Sequence, residues 1–131
     1  MKRFAILFSC FALLATPVLG SSRFKKQWQD KYVSADDVDS DFKSKVRKHG
    51  CYICHVDGEE KKEVRNEYGK AVNKFLTKKD YDEWVKADPE EAKKKIYAAF
   101  EKAGKAKSKD GSTFEDKIKN NKVPATDSGK E

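Results

Sequence analysis

Cys51-Tyr52-Ile53-Cys54-His55 is the stretch on which the reading of this chain turns. Two cysteines separated by two residues, with histidine next, form the C-x-x-C-H pattern of covalent haem c attachment. The spacing has a chemical reason. Two thiols add to the two vinyl groups on one edge of a porphyrin, and two intervening residues let one turn of chain span that edge. The following imidazole then faces the iron from the same side. Cys51 and Cys54 are therefore expected as thioether anchors of one haem c, and His55 as the proximal iron ligand.

The same cysteine spacing has other uses. A redox dithiol of the thioredoxin kind needs a βαβ pattern nearby, and none is visible. Zinc needs four ligands. Cys51, Cys54, His55 and His49 would have to supply them within seven residues, which is cramped. A disulfide between Cys51 and Cys54 would close a loop too short to stabilise much. The terminal histidine favours haem.

Upstream, Lys2 and Arg3 precede an apolar run over 4–15, and Val18 and Gly20 occupy the positions a signal peptidase reads. The expectation is a signal peptide over 1–20. Its apolar run falls short of the ~20 residues a membrane span needs, and Cys10 inside it leaves with the leader. An exported chain follows, periplasmic or otherwise extracytoplasmic, with no stable membrane anchor after cleavage.

The whole chain has 131 residues, 37% hydrophobic and 39% charged, with a mean hydropathy of -0.90. So short and polar a chain buries a small core, and small cores usually need a staple or cofactor. These values exclude a polytopic membrane protein, a multidomain enzyme and a large α/β fold. Loss of Lys2 and Arg3 with the leader lowers Lys+Arg from 29 to 27 against 22 Asp+Glu, a net charge of +5. Met1 is the one methionine, so His/Met ligation of a haem is impossible within one mature chain. His49, the other imidazole, would have to reach over the porphyrin edge. An open or water-bound sixth position is expected instead, or a weak Tyr or Lys ligand with Tyr68 the nearest candidate.

The remaining periodicity is helical. Phe24, Trp28 and Tyr32 share one face of a helix over 23–33. Phe42 and Val46 do so over 39–48, which ends at Gly50. Val64, Tyr68, Ala71, Val72, Phe75 and Leu76 line a helix over 64–76, where Gly69 is either a close approach to a flat ring or a kink. A short helical turn is expected over 80–85. Asp88-Pro89-Glu90-Glu91 opens a helix that reaches Ala103. Ser112 or Thr113 caps a last short helix carrying Phe114 and Ile118. The domain is expected to span 21–124, with 125–131 a disordered tail.

Arg65-Asn66-Glu67-Tyr68-Gly69-Lys70-Ala71 behind the haem motif, and Gly111-Ser112-Thr113-Phe114-Glu115-Asp116-Lys117-Ile118 with Lys122-Val123-Pro124 after it, complete a further pattern. In these motifs the chain resembles small exported monohaem cytochrome c-like proteins of planctomycete-type bacteria, over roughly 24–124. The resemblance implies an all-α, small helical domain built around one covalently attached haem and presumed to carry electrons.

Electron transfer is thus the expected function, without catalytic residues or enzymatic activity. An open-site haem that binds or senses nitric oxide or carbon monoxide is the alternative, and a non-haem metal or dithiol module is the third reading. Arg65 is expected to pair with a haem propionate, and Tyr68 to pack against the haem. The lysines read mostly as solvated faces, and for the cluster Lys43, Lys45, Arg47 and Lys48 the alternative is a ring around the haem edge that steers an acidic redox partner protein. Nucleic acid is not an expected partner, because acids and bases alternate along the chain.

Overall fold

The computed structural model describes residues 20–60 and 63–130, with the backbone alone for 20–22. The expected signal peptide lies outside the described residues except for Gly20, and so do Lys61 and Lys62. The described chain is all-helical: α1 (Gly20–Tyr32), α2 (Ser40–His49), a 3-10 turn (Gly50–Ile53), α3 (Glu67–Asn73), α4 (Lys78–Ala87), α5 (Pro89–Gly104) and α6 (Phe114–Lys119). Among the described residues β pairing is confined to two isolated bridges, His55 with Arg65 and Lys107 with Thr113. None of the described helices is long and apolar enough to cross a membrane.

Side-chain caps set most helix starts. Asp39 accepts from the Phe42 N–H at 2.8 Å and starts α2. Thr77 and Asp80 form a reciprocal capping box, so α4 begins two residues before the expected turn. Asp88 accepts from the Glu90 and Glu91 N–H groups ahead of Pro89, which fixes the start of α5. Thr113, the second of the two cap candidates, caps α6.

Helix α5 is the spine and packs on α4, α3, α1 and α6. Its face of Ala92, Ile96, Ala99, Phe100 and Ala103 is buried, as the period of 3.6 requires. Trp28 of α1, Phe42 and Val46 of α2, Tyr68 and Val72 of α3, and Phe114 and Ile118 of α6 complete the core. Each large apolar side chain withdrawn from water contributes about 1.5–3 kcal/mol.

Two expectations need correction. The helix over 64–76 is shorter at both ends: Arg65 pairs with His55 instead, and Asn66 is the N-cap. Past Asn73 the chain turns, and Phe75 is 42% exposed rather than inward. The C-terminal segment is also no frayed tail. Pro124, Ala125 and Ser128 are buried. The Ser128 carbonyl accepts from the Asp57 N–H at 2.7 Å, and Asp127 accepts from the Glu67 N–H at 2.9 Å. Few apolar residues mark this segment, because polar groups hold it.

Candidate functional site

Gly50, at φ 53°, ends α2 in a conformation that favours glycine. The chain then tightens into the 3-10 turn, in which the Cys54 and His55 N–H groups both donate to the Cys51 carbonyl. This turn brings Cys51, Cys54 and His55 to one cleft. Both cysteines are half-buried and not joined in a disulfide.

The loop after the turn is held by Asn66, which is fully buried. Its amide nitrogen donates to the carbonyls of Tyr52, Ile53 and His55 at 3.0, 3.0 and 3.2 Å. Its backbone N–H donates to the Cys54 carbonyl at 3.0 Å, while its side-chain oxygen caps α3 through Gly69 N–H. Its position satisfies carbonyls that a tight turn would otherwise leave buried without donors. Gly69 belongs to the same knot: a Cβ there would lie 2.0 Å from the Cys54 carbonyl oxygen. The close approach that this glycine allows is to the backbone of the cysteine motif.

His55 Nδ1 lies 3.0 Å from the Val64 carbonyl oxygen. A carbonyl only accepts, so Nδ1 carries the proton, and in the neutral ring the lone pair is on Nε2. Metal-ligating histidines are commonly oriented in this way. Burial, with the neighbouring Cys51 adding to it against the opposing pull of Arg65, pushes the Cys54 thiol up to about 12. A thiol so disposed is a poor redox nucleophile.

The cleft, open at its mouth, offers about 200 Å³ of space. Phe24 and Trp28 of α1, Val46 of α2, Val72 of α3, Leu76 and Phe100 give it apolar walls, while Lys25, Arg65 and Lys78 add cations. Arg65 lines the same cleft as the two cysteines and His55. Of the lysine cluster for which a place at the haem edge is the alternative reading, Lys45 and Lys48 line a different depression. Lys25 and Lys78 line the cleft instead, which only the packing of α1 and α4 determines.

Tyr68 is not a wall of the cleft. It is fully buried, accepts from the Trp28 indole N–H at 2.8 Å and meets the Phe114 ring edge-on at 5.2 Å. Burial, reinforced by Cys54 and Tyr32, raises its phenol well above the ordinary value. It sets Trp28, which does line the cleft. His49 is turned away as well: Nδ1 lies 2.9 Å from the Lys45 carbonyl and Nε2 3.2 Å from that of Lys130. Among the described residues no three His, Cys, Asp or Glu side chains gather to hold a metal ion, and the cramped zinc arrangement does not form.

The donors at the cleft suit a haem held at one edge: two thiols from one turn, an imidazole with an oriented Nδ1–H, apolar walls, and cations for carboxylates. Matched against protein-family models, curated proteins and solved structures, the chain finds no counterpart in any of the three. The likeness to monohaem cytochromes rests on the motifs quoted above.

Proposed function

We propose that the protein is an exported c-type cytochrome that carries electrons through one haem c, anchored by Cys51 and Cys54 and ligated by His55. The observation that carries this reading is their convergence on one apolar cleft with the His55 Nδ1 proton bound to the Val64 carbonyl. The haem supplies a one-electron Fe(III)/Fe(II) couple. The residues do the rest. The bond from Nδ1 fixes the imidazole ring and raises the basicity of Nε2. Phe24, Trp28 and Leu76 exclude water, and Arg65 meets a carboxylate at the mouth. With no methionine beyond Met1, the potential falls below that of His/Met cytochromes. Cationic Lys25 and Lys78 beside the mouth suit an acidic redox partner.

The test is an absorption spectrum of protein from a host with haem-attachment machinery, taken before and after acid–acetone extraction. A haem c band that survives extraction is expected. It should vanish in Cys51→Ala with Cys54→Ala, while His55→Ala retains haem poorly and with altered ligand-field bands. A colourless wild-type protein would overturn the proposal.

A second reading, a haem that binds a small molecule such as nitric oxide or carbon monoxide, draws on Gln29 and Asn73, polar groups in the cleft wall, and on the diversion of His49. Rapid carbon monoxide binding by the reduced protein would favour it.

A further inference from the structure

A second concavity, of about 530 Å³, lies between α2 and the C-terminal segment. It takes Lys45, Lys48 and His49 from one side and Lys122, Thr126 and Lys130 from the other, with Lys117 and Asp110 also in its lining. We propose that this depression is a binding site for a small, multiply charged oxyanion, of the polyphosphate or polycarboxylate class.

Charge is the first argument. Five lysines share the concavity with one carboxylate, that of Asp110. Asp110 is already taken by Lys117 at 2.9 Å, and Lys130 is engaged by Asp57 at 3.6 Å. Lys45, Lys48 and Lys122 have no carboxylate partner among the described residues. Like charges gathered around a concave, partly desolvated surface repel one another and focus a positive potential into it. An anion relieves that repulsion.

The lining is also built rather than a chance meeting of surface lysines. Lys117 and His49 are 7% and 5% exposed. The Lys117 ammonium has three donors. Ser108 Oγ at 3.3 Å and Asp110 at 2.9 Å take two of them, and no described residue accepts the third. The proton of Ser108 is itself spent on Glu67, so its oxygen accepts from Lys117, and a residue with a buried, fixed ammonium stands in the lining of the depression. Exposed Lys45, Lys48 and Lys122 stand on two separate elements around it. A ligand with several oxyanion groups can engage both elements at once, and the space admits more than one such group. A single chloride cannot bridge them.

The site needs no haem, so its failure would leave the cleft reading untouched. The test is calorimetric titration of the full exported protein with tripolyphosphate and with citrate, against sodium chloride of matched ionic strength. Saturable binding of at least one of the two anions is expected, and no comparable heat from chloride. Lys48→Gln with Lys122→Gln should weaken binding by about ten-fold or more, as loss of two charge-assisted contacts requires. Lys86→Gln with Lys102→Gln, on the exposed faces of α4 and α5, removes the same charge elsewhere and should leave affinity within about two-fold. Stronger binding of tripolyphosphate than of citrate identifies phosphate chemistry, and the reverse order identifies carboxylates. Absence of saturable binding, or equal weakening by both lysine pairs, would overturn the site.

Discussion

The α4–α5 hairpin and the cysteine-motif loop are held together by opposite means. The hairpin runs from Thr77 to Gly104 with a capping box, an Asp88 cap, Pro89 at a helix start and ion pairs one turn apart, such as Lys78 with Asp82 at 2.6 Å. Each of these contacts lies within one helical turn of sequence. In the loop over 50–66, helical structure among the described residues is confined to the 3-10 turn at Gly50–Ile53, and beside its local turn bonds the loop is held by the Asn66 side chain, by the close approach of Gly69 to Cys54 and by the Ser128 carbonyl on Asp57. A local design degrades gradually when one group is lost. A design that routes many backbone groups through one side chain fails together. The candidate site stands on the second kind.

The same substitution made in both regions gives the largest contrast. At Gly69 an added Cβ would meet the Cys54 carbonyl oxygen at 2.0 Å, and both partners are backbone. Either α3 or the cysteine turn must move. Gly69→Ala should cost at least ~3 kcal/mol, the upper part of the overpacking range, and should impair haem attachment. At Gly104 the new Cβ would meet the Glu115 Cβ at 3.2 Å, a contact that a displacement of the first turn of α6 by a few tenths of an ångström relieves. The gain in helix propensity there offsets the crowding, so Gly104→Ala should stay within about 1 kcal/mol of wild type. Urea denaturation of the two variants measures the difference, and equal costs would erase the distinction between the regions.

Asn66→Ala comes next. It removes the donor shared by the Tyr52, Ile53 and His55 carbonyls and the cap on Gly69 N–H. Unsatisfied buried groups cost about 1–3 kcal/mol each, part of which water recovers, so a loss of about 2–3 kcal/mol is expected. Asn66→Asp keeps the cap oxygen and loses the donors. If the donors matter most, as three carbonyls to one cap suggests, Asp should be no better than Ala in the same denaturation experiment.

This contrast also explains what could be read in advance. The helices α1, α2, α5 and α6 were legible because their apolar stripes and caps lie close together in sequence. The cysteine motif and the C-cap at Gly50 were legible for the same reason. Asn66 was not, because a buried asparagine looks like a surface one until the turn that needs it is seen. Tyr68 lies on the apolar stripe as expected, but the stripe faces Trp28 and Phe114 there, and rings of the core separate from walls of the cleft only in three dimensions. The C-terminal segment was hidden by its composition: its order comes from Glu67, Asp57 and His49, all more than fifty residues away. Thr77 with Asp80, by contrast, is a local signal that could have placed the start of α4.

The hold on that segment should depend on pH. Burial tends to raise the Glu67 carboxyl, but hydrogen bonds from Ser108, the Thr126 and Lys109 N–H groups and the Thr126 hydroxyl outweigh it and set it below the ordinary glutamate value. A depressed folded value means that the contribution is present above the unfolded value of about 4.3 and is lost as pH falls through the folded one. Hydrogen-exchange protection at Lys109 and Thr126 should therefore fall as pH drops below the unfolded value of about 4.3, while that inside α5 persists. Glu67→Gln should show the reduced protection already at neutral pH, with a flat profile. A wild-type profile as flat as that of the variant would remove Glu67 from this role.

The smallest effect belongs to the hairpin, and it marks the limit of the contrast. Thr77 accepts from the Asp80 N–H at 3.2 Å, and Asp80 accepts in return from the Thr77 N–H at 2.9 Å. Thr77→Ala breaks one half of the box and should cost about 1 kcal/mol, the usual value of a helix cap. The fraying should stay in the first turn of α4, because the remaining turns keep their own bonds and Tyr81 stays buried against Phe24, 5.0 Å away between ring centres. Leu76, however, is the residue just before the cap and a wall of the cleft. If local contacts alone govern the hairpin, the variant loses stability and its visible spectrum is unchanged. A shifted spectrum at so small a loss of stability would mean that the cap also holds Leu76 in the cleft wall, and the two regions would then meet at residue 76 rather than stand apart.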